Sequence, residues 1–116
     1  MAKLHFYYSA MNAGKSTTLL QSSYNYHERG MHTLLFAPAI DTRFGLGKVS
    51  SRIGLEQEAF SFDEEFDFYD SIRVAIGNNP NIKCVLIDEA QFLKQAQVMQ
   101  LCRICDELNV PVLAYG

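Results

Sequence analysis

Two short stretches of this sequence carry groups able to bind phosphate and to move a proton. The first is Ser9-Ala10-Met11-Asn12-Ala13-Gly14-Lys15-Ser16. It has the spacing of a phosphate-binding P-loop with serine in place of the first glycine. In such a loop the backbone N–H groups and a helix N-terminus surround the phosphate oxygens. Ala13 and Gly14 are small enough to admit a close backbone approach. The Lys15 ammonium suits the β and γ phosphates, and the Ser16 hydroxyl suits Mg²⁺. The second stretch is Cys84-Val85-Leu86-Ile87-Asp88-Glu89-Ala90-Gln91-Phe92, in the form of a Walker B strand. Four apolar residues bury the strand, and Asp88 emerges at its carboxyl end, where it can hold Mg²⁺ directly or through a water. Glu89 is then placed to take a proton from whatever attacks the γ phosphate. Two plainer readings stay open: Gly14-Lys15-Ser16 as an ordinary helix start, and Asp88-Glu89 as a solvated N-cap of the following helix.

The elements that must position these groups can be read from the pattern of apolar residues. Leu4 to Tyr8 predicts a buried strand, and a helix follows from about Lys15 to Arg29. Leu19, Leu20, Ser23, Tyr24 and Tyr26 form its buried side, and Gly30 suits a left-handed C′ position. His32 to Ala37 predicts a second strand, stopped by Pro38. Residues 40–58, with Gly45, Gly47 and Gly54 among scattered charges, predict a long, mobile loop. Lys48 and Arg52 within it fit either closure over substrate or disorder. A helix is expected over about Glu64 to Gly77, with Phe66, Tyr69, Ile72 and Ile76 on one side, before an Asn78-Asn79-Pro80-Asn81 turn. Lys83 to Ile87 is the third expected strand. A helix from about Lys94 to Asn109 carries Val98, Leu101, Cys102, Cys105 and Leu108 at helical spacing, and Val110 to Tyr115 is the fourth strand. Strands alternating with helices imply a parallel sheet with right-handed crossovers and helices on both faces. Both motifs fall at the carboxyl ends of strands, where such sheets bind ligands.

The 116 residues leave room for one domain, 1–116, and 48% hydrophobic against 20% charged residues describes a globular core. Ten basic against thirteen acidic side chains give a net charge of -3, which argues against nucleic acid or an anionic membrane as partner. Three cysteines and no signal-peptide pattern point to the cytoplasm.

Taken together, the P-loop with its internal Met11, the Asp41-Thr42-Arg43-Phe44 segment, the Val49-Ser50-Ser51-Arg52-Ile53-Gly54 segment and Asp88-Glu89-Ala90-Gln91-Phe92 resemble the thymidine kinases of the bacterial and human cytosolic type. Tyr7-Tyr8 before the loop and Ser9 at its start are shared with the bacterial members, and the resemblance runs along essentially the whole chain. It implies a P-loop nucleoside-triphosphate-binding α/β fold and transfer of the ATP γ phosphate, with Mg²⁺, to the 5′-hydroxyl of thymidine or deoxyuridine. It makes Glu89 the general base and gives the phosphates to Ser9, Ala10, Met11, Asn12, Ala13, Gly14, Lys15 and Ser16. Arg43, Asp88, Glu89, Ala90 and Gln91 complete the nucleotide site. Ser16 and Asp88 serve the metal, and Met11 and Phe92 lie near the thymine ring. A homo-oligomer is implied as well. In the family the chain continues past the equivalent of Ala114-Tyr115-Gly116 into further strands, a zinc-binding cysteine cluster and a loop that closes over thymidine. Here the expectation is therefore a sheet that stops after its fourth strand, with zinc belonging only to the missing region.

Other features have plain explanations. Cys102-Arg103-Ile104-Cys105 spells C-x-x-C, but both cysteines fall on the apolar side of a helix and read as core. His5, His27 and His32 are dispersed, and His5, inside a strand, reads as structural. Residues 56–70 hold seven acids, five aromatics and no base, and they read as a solvated loop followed by one amphipathic helix. Besides a thymidine kinase, the motifs fit a P-loop ATPase in which Glu89 activates water, or an ATP-binding module without turnover.

Overall fold

The aliphatic runs of this chain are continuous, not alternating, as expected for strands buried on both faces. In the computed structural model these runs become the middle of a sheet. The structure describes residues 2–8, 15–39, 46–50 and 56–116, without the side chains of 15, 16, 46–50 and 56. In chain order the elements are β1 (Leu4–Tyr7), α1 (Lys15–Glu28), β2 (His32–Pro38), β3 (Leu46–Ser50), β4 (Glu56–Phe62), α2 (Phe68–Asn78) and β5 (Ile82–Ile87). A short 3-10 turn (Ala90–Phe92), α3 (Gln95–Leu108) and β6 (Val112–Tyr115) follow. The strands lie in the order β1-β6-β5-β2-β4-β3. Five of them are parallel, and β3 pairs antiparallel with β4 at one edge.

Side-chain alternation along each strand divides the core in two. Leu34, Phe36, Val85, Ile87, Val112 and Ala114 face α2 and α3, where they meet Phe68, Ile72, Leu101 and Ile104. On the other face Leu35, Cys84, Leu86 and Tyr115 meet Leu19 and Leu20 of α1. Phe68 is the aromatic centre of the first layer, with ring centroids 5.2 Å from Phe36, 5.2 Å from Phe62 and 4.9 Å from Phe66. The outer edge of the α2–α3 contact is polar. Arg103 lies over the Tyr69 ring, 4.0 Å from its centroid, and Tyr69 donates to Glu107 at 2.8 Å.

The reading of 40–58 as one long loop is overturned for residues 46–50 and from 56 onward, because β3 and β4 form an antiparallel hairpin there. Lys48 belongs to β3, while Arg52 lies outside the described residues. The stretch after Glu56 is likewise a strand and not a solvated loop, with Ala59 and Phe62 buried. Polar contacts dock β4 and hide it from a hydropathy argument. Ser23 of α1 donates to Gln57, and the Gln57 amide donates to Thr33 of β2 at 3.2 Å. The last strand is consequently the sixth of the sheet, not the fourth. The second helix begins at Phe68, later than Glu64, because Asp67 is its N-cap and accepts from the Asp70 N–H at 3.1 Å.

Smaller expectations divide the same way. Gly30 has φ +77° and closes α1 in the left-handed conformation that glycine allows. Leu19, Leu20 and Ser23 are buried, but Tyr24 is exposed and turns its ring edge to His27. His5 is exposed on β1 and stacks on Tyr7. Of the C-x-x-C pair, Cys105 is buried in the core and Cys102 is half-buried. Cys84 is fully buried, and that burial pushes its thiol up to about 12.

Two outcomes follow from this packing. Phe68→Ala should cost about 3–5 kcal/mol in urea unfolding, the range for removing a large buried aromatic. A cost near zero would mean that the aromatic layer is not the centre of the core. A thiol reagent at pH 8 should leave Cys84 unmodified in native protein, because its thiolate forms only near pH 12. It should react once denaturant opens the sheet, and labelling of Cys84 at the native rate of an exposed thiol would contradict its burial.

Candidate active site

Strand β5 delivers the acidic pair. Its residues Cys84 to Ile87 are fully buried, and the first side chain past its end is Asp88, buried to 9% exposure. The Asp88 N–H donates to the Phe36 carbonyl of β2 at 2.8 Å, so strand pairing still fixes this residue. Its own Oδ1 accepts the N–H of Glu89 at 3.0 Å. Glu89 then turns the chain sharply, with φ 53° and ψ 49°. That left-handed conformation is uncommon for a residue with a side chain. It ends the strand abruptly and starts the 3-10 turn Ala90–Phe92, closed by Phe92 N–H to Glu89 O at 3.1 Å and Leu93 N–H to Ala90 O at 3.0 Å.

The turn is anchored by Ala90, which is buried in the core layer on the α2–α3 side of the sheet. Gln91 is exposed, and its Nε2 donates to Glu89 Oε1 at 3.1 Å. Phe92 keeps 49% of its surface exposed, available to a flat ligand. Behind the turn stands the end of β6. The Gly116 N–H donates to Tyr7 O at 2.9 Å, and a Cβ built on Gly116 would lie 3.4 Å from the Gln91 nitrogen and 3.5 Å from Tyr8. The carboxyl ends of β1, β5 and β6 thus meet around Asp88, Glu89 and Gln91.

Asp88 and Glu89 do not cap the helix that follows. Helix α3 begins at Gln95 with Lys94 as its N-cap residue, and Gln97 Oε1 accepts the Lys94 N–H at 2.9 Å. The capping alternative is therefore excluded by the five residues, 90–94, that separate Glu89 from the first residue of α3. Lys15 and Ser16 open α1, although their side chains are not among those described. Ser9, Ala10, Met11, Asn12, Ala13, Gly14 and Arg43 lie outside the described residues.

The structure brings Asp88, Glu89, Ala90, Gln91 and Phe92 into one turn. It adds Tyr8 and Gly116, to which the sequence analysis gave no role in the site. Two signals in the sequence bear on them: a strand-end glycine beside the site, and an aromatic residue directly before the P-loop. The left-handed backbone of Glu89 had no signal, since glutamate is not a residue that marks such turns. Among the described residues no three His, Cys, Asp or Glu side chains come together as a metal site, and no helix is long and apolar enough to cross a membrane.

A family model described as thymidine kinase matches residues 2–116. The chain belongs to the thymidine kinase family. Among curated members, it is 62% identical to the thymidine kinase of Rhodopirellula baltica over 116 residues, all of this chain and 54% of that protein. It is 60% identical to the thymidine kinase of Coxiella burnetii and to that of Haemophilus influenzae, again over all 116 residues and over 59% and 60% of those proteins. The chain therefore spans a little over half the length of the curated thymidine kinases it matches.

Glu89→Gly tests whether the strained turn is kept for its side chain. Relief of the left-handed backbone outweighs the added freedom of glycine in the unfolded state, so stability should rise by about 0.5–1 kcal/mol in chemical denaturation. A clear loss of stability would show that the Glu89 side chain contributes more to folding than its backbone costs.

Proposed function

We propose that this chain carries the nucleotide-facing part of a thymidine kinase, transferring the γ phosphate of ATP to the 5′-hydroxyl of thymidine or deoxyuridine in deoxynucleoside salvage. The observation that carries the reading is Glu89, a carboxylate held in a left-handed turn at the carboxyl end of β5, directly after a buried aspartate. A glutamate there is costly to the fold and useful to a proton transfer. Membership of the family and the identity shared with named thymidine kinases support the same reaction class.

In this reading Glu89 accepts the proton of the 5′-hydroxyl as its oxygen attacks the γ phosphorus. The loop amides of Ser9 to Gly14 and the Lys15 ammonium hold the phosphates and take up charge that builds on them in the transition state. Arg43 adds a phosphate contact, and Ala90 borders the nucleotide. Met11 and Phe92 bound the thymine ring, with the exposed face of Phe92 available for stacking. The donor set fits Mg²⁺: the Asp88 carboxylate and the Ser16 hydroxyl are hard oxygen ligands of the kind this ion takes. When bound, Mg²⁺ neutralises phosphate charge and orients the γ phosphate. The same reading makes the protein a cytoplasmic homo-oligomer, as the resemblance implies, without nucleic-acid or membrane partners, against which its net charge of -3 speaks.

A coupled assay of ATP consumption with and without thymidine tests the reaction. Thymidine-dependent turnover is expected, and Glu89→Gln should lower kcat by a factor of about 10²–10⁴ while nucleotide binding is retained. Consumption of ATP indifferent to thymidine would instead identify an ATPase, and nucleotide binding without turnover an inactive module.

A further inference from the structure

A carboxylate on a two-carbon arm is an imprecise base unless something fixes it. The turn fixes the backbone of Glu89, whose side chain is half-buried. Gln91 reaches it from two residues further along, donating from Nε2 to Oε1 at 3.1 Å. The orientation of that amide is set by chemistry. A carboxylate only accepts hydrogen bonds, so the nitrogen must face Glu89. The amide oxygen then points toward Gly116, where a Cβ built on the glycine would lie 3.4 Å from it.

The backbone of Gln91 is well held. It is the middle residue of the 3-10 turn, whose two hydrogen bonds join Phe92 to Glu89 and Leu93 to Ala90. Ala90 ties that turn to the core, and Gly116, bonded to Tyr7, backs it from β6. A side chain whose main role was to touch the nucleotide would not need to direct its donor back at the carboxylate. We propose that Gln91 is a positioning residue for the base: it orients the Glu89 carboxylate by a charge-assisted hydrogen bond, with its amide oxygen lying on the Gly116 side. The inference rests on the reading of Glu89 as general base. It gives Gln91 a task other than the nucleotide contact implied by family resemblance.

Gln91→Leu keeps much of the volume and removes the donor, whereas Gln91→Lys restores a donor on an arm of similar reach. The expected result for Gln91→Leu is a fall in thymidine-dependent kcat of about tenfold to a hundredfold, the scale of a misplaced reacting group. The KM values for ATP and thymidine should stay within about twofold, and Gln91→Lys should recover kcat to within about threefold of the parent. Unchanged kcat, a rise in the KM for ATP in its place, or no recovery with lysine would overturn the proposal. An NMR measurement decides independently of turnover. The side-chain amide protons of Gln91, identified by their loss in Gln91→Leu, should include a downfield signal that Glu89→Ala returns to the position of a solvated amide. Amide signals that ignore Glu89→Ala would remove the contact and the proposal with it, leaving the kinase reading intact. Full turnover in Glu89→Gln would instead remove the base assignment.

Discussion

Val85 and Ile87 on one face of β5, and Cys84 and Leu86 on the other, are shut off from solvent while the strand is hydrogen-bonded to β2 on one side and β6 on the other. A strand held in this way has no freedom to slip, because a one-residue shift would exchange two apolar faces that fit different helices. The position of Asp88 follows from that constraint. It is the first polar side chain after the buried run, and its backbone is still paired to Phe36. The acidic pair is thus placed by the apolar residues before it. Parallel sheets gather such strand ends on one side of the molecule, which is why the ends of β1, β5 and β6 converge there.

The turn at Glu89 is where the fold bears a local cost. Among the described residues, positive φ occurs at Gly30, Asn109 and Glu89. Glycine and asparagine are the residues that tolerate this conformation, and both sit at helix ends, Gly30 after α1 and Asn109 after α3. Asn109 also accepts the Ala2 N–H through Oδ1 at 2.9 Å. Glu89 is the exception in residue type, and its side chain caps nothing in the turn that follows. Asp88 Oδ1 offsets part of the cost by accepting the Glu89 N–H. A glycine would fit the backbone better, so the carboxylate accounts for the choice of residue.

The parallel strands and the three helices were legible because their signals are apolar runs and helical spacing, as in Leu34-Leu35-Phe36 and Val85-Leu86-Ile87. The placement of the acidic pair at a strand end was legible for the same reason. The β3–β4 hairpin was not. Its residues Gly47, Lys48, Ser50, Glu56, Gln57 and Glu58 have neither an apolar run nor clean alternation. What seats β4 is pairing of its last residues, Phe60 to Phe62, with β2, and the Ser23–Gln57–Thr33 hydrogen bonds to α1. Tertiary polar contacts of that kind leave no periodic trace. The contact between Gln91 and Glu89 was hidden for a related reason, since two residues separated by one normally diverge in a helix or share a face at a distance in a strand. Only a tight turn started by a left-handed residue brings them together.

The phosphate-facing and proton-accepting halves of the proposed site belong to different elements, and the core joins them. Helix α1, which starts at Lys15, is seated by Leu19 and Leu20 against Leu35 and Leu86. Leu86 stands two residues before Asp88. On the side toward β6, Ser22 and the Tyr115 hydroxyl lie 3.1 Å apart, and Tyr115 directly precedes Gly116, which backs Gln91. The same layer therefore sets where α1 begins and where the β5 and β6 ends stand. Closely packed side chains transmit a displacement instead of absorbing it. The distance between the start of α1 and the turn after β5 is consequently a property of the Leu19–Leu20–Leu86–Tyr115 layer, none of whose members belongs to the proposed site.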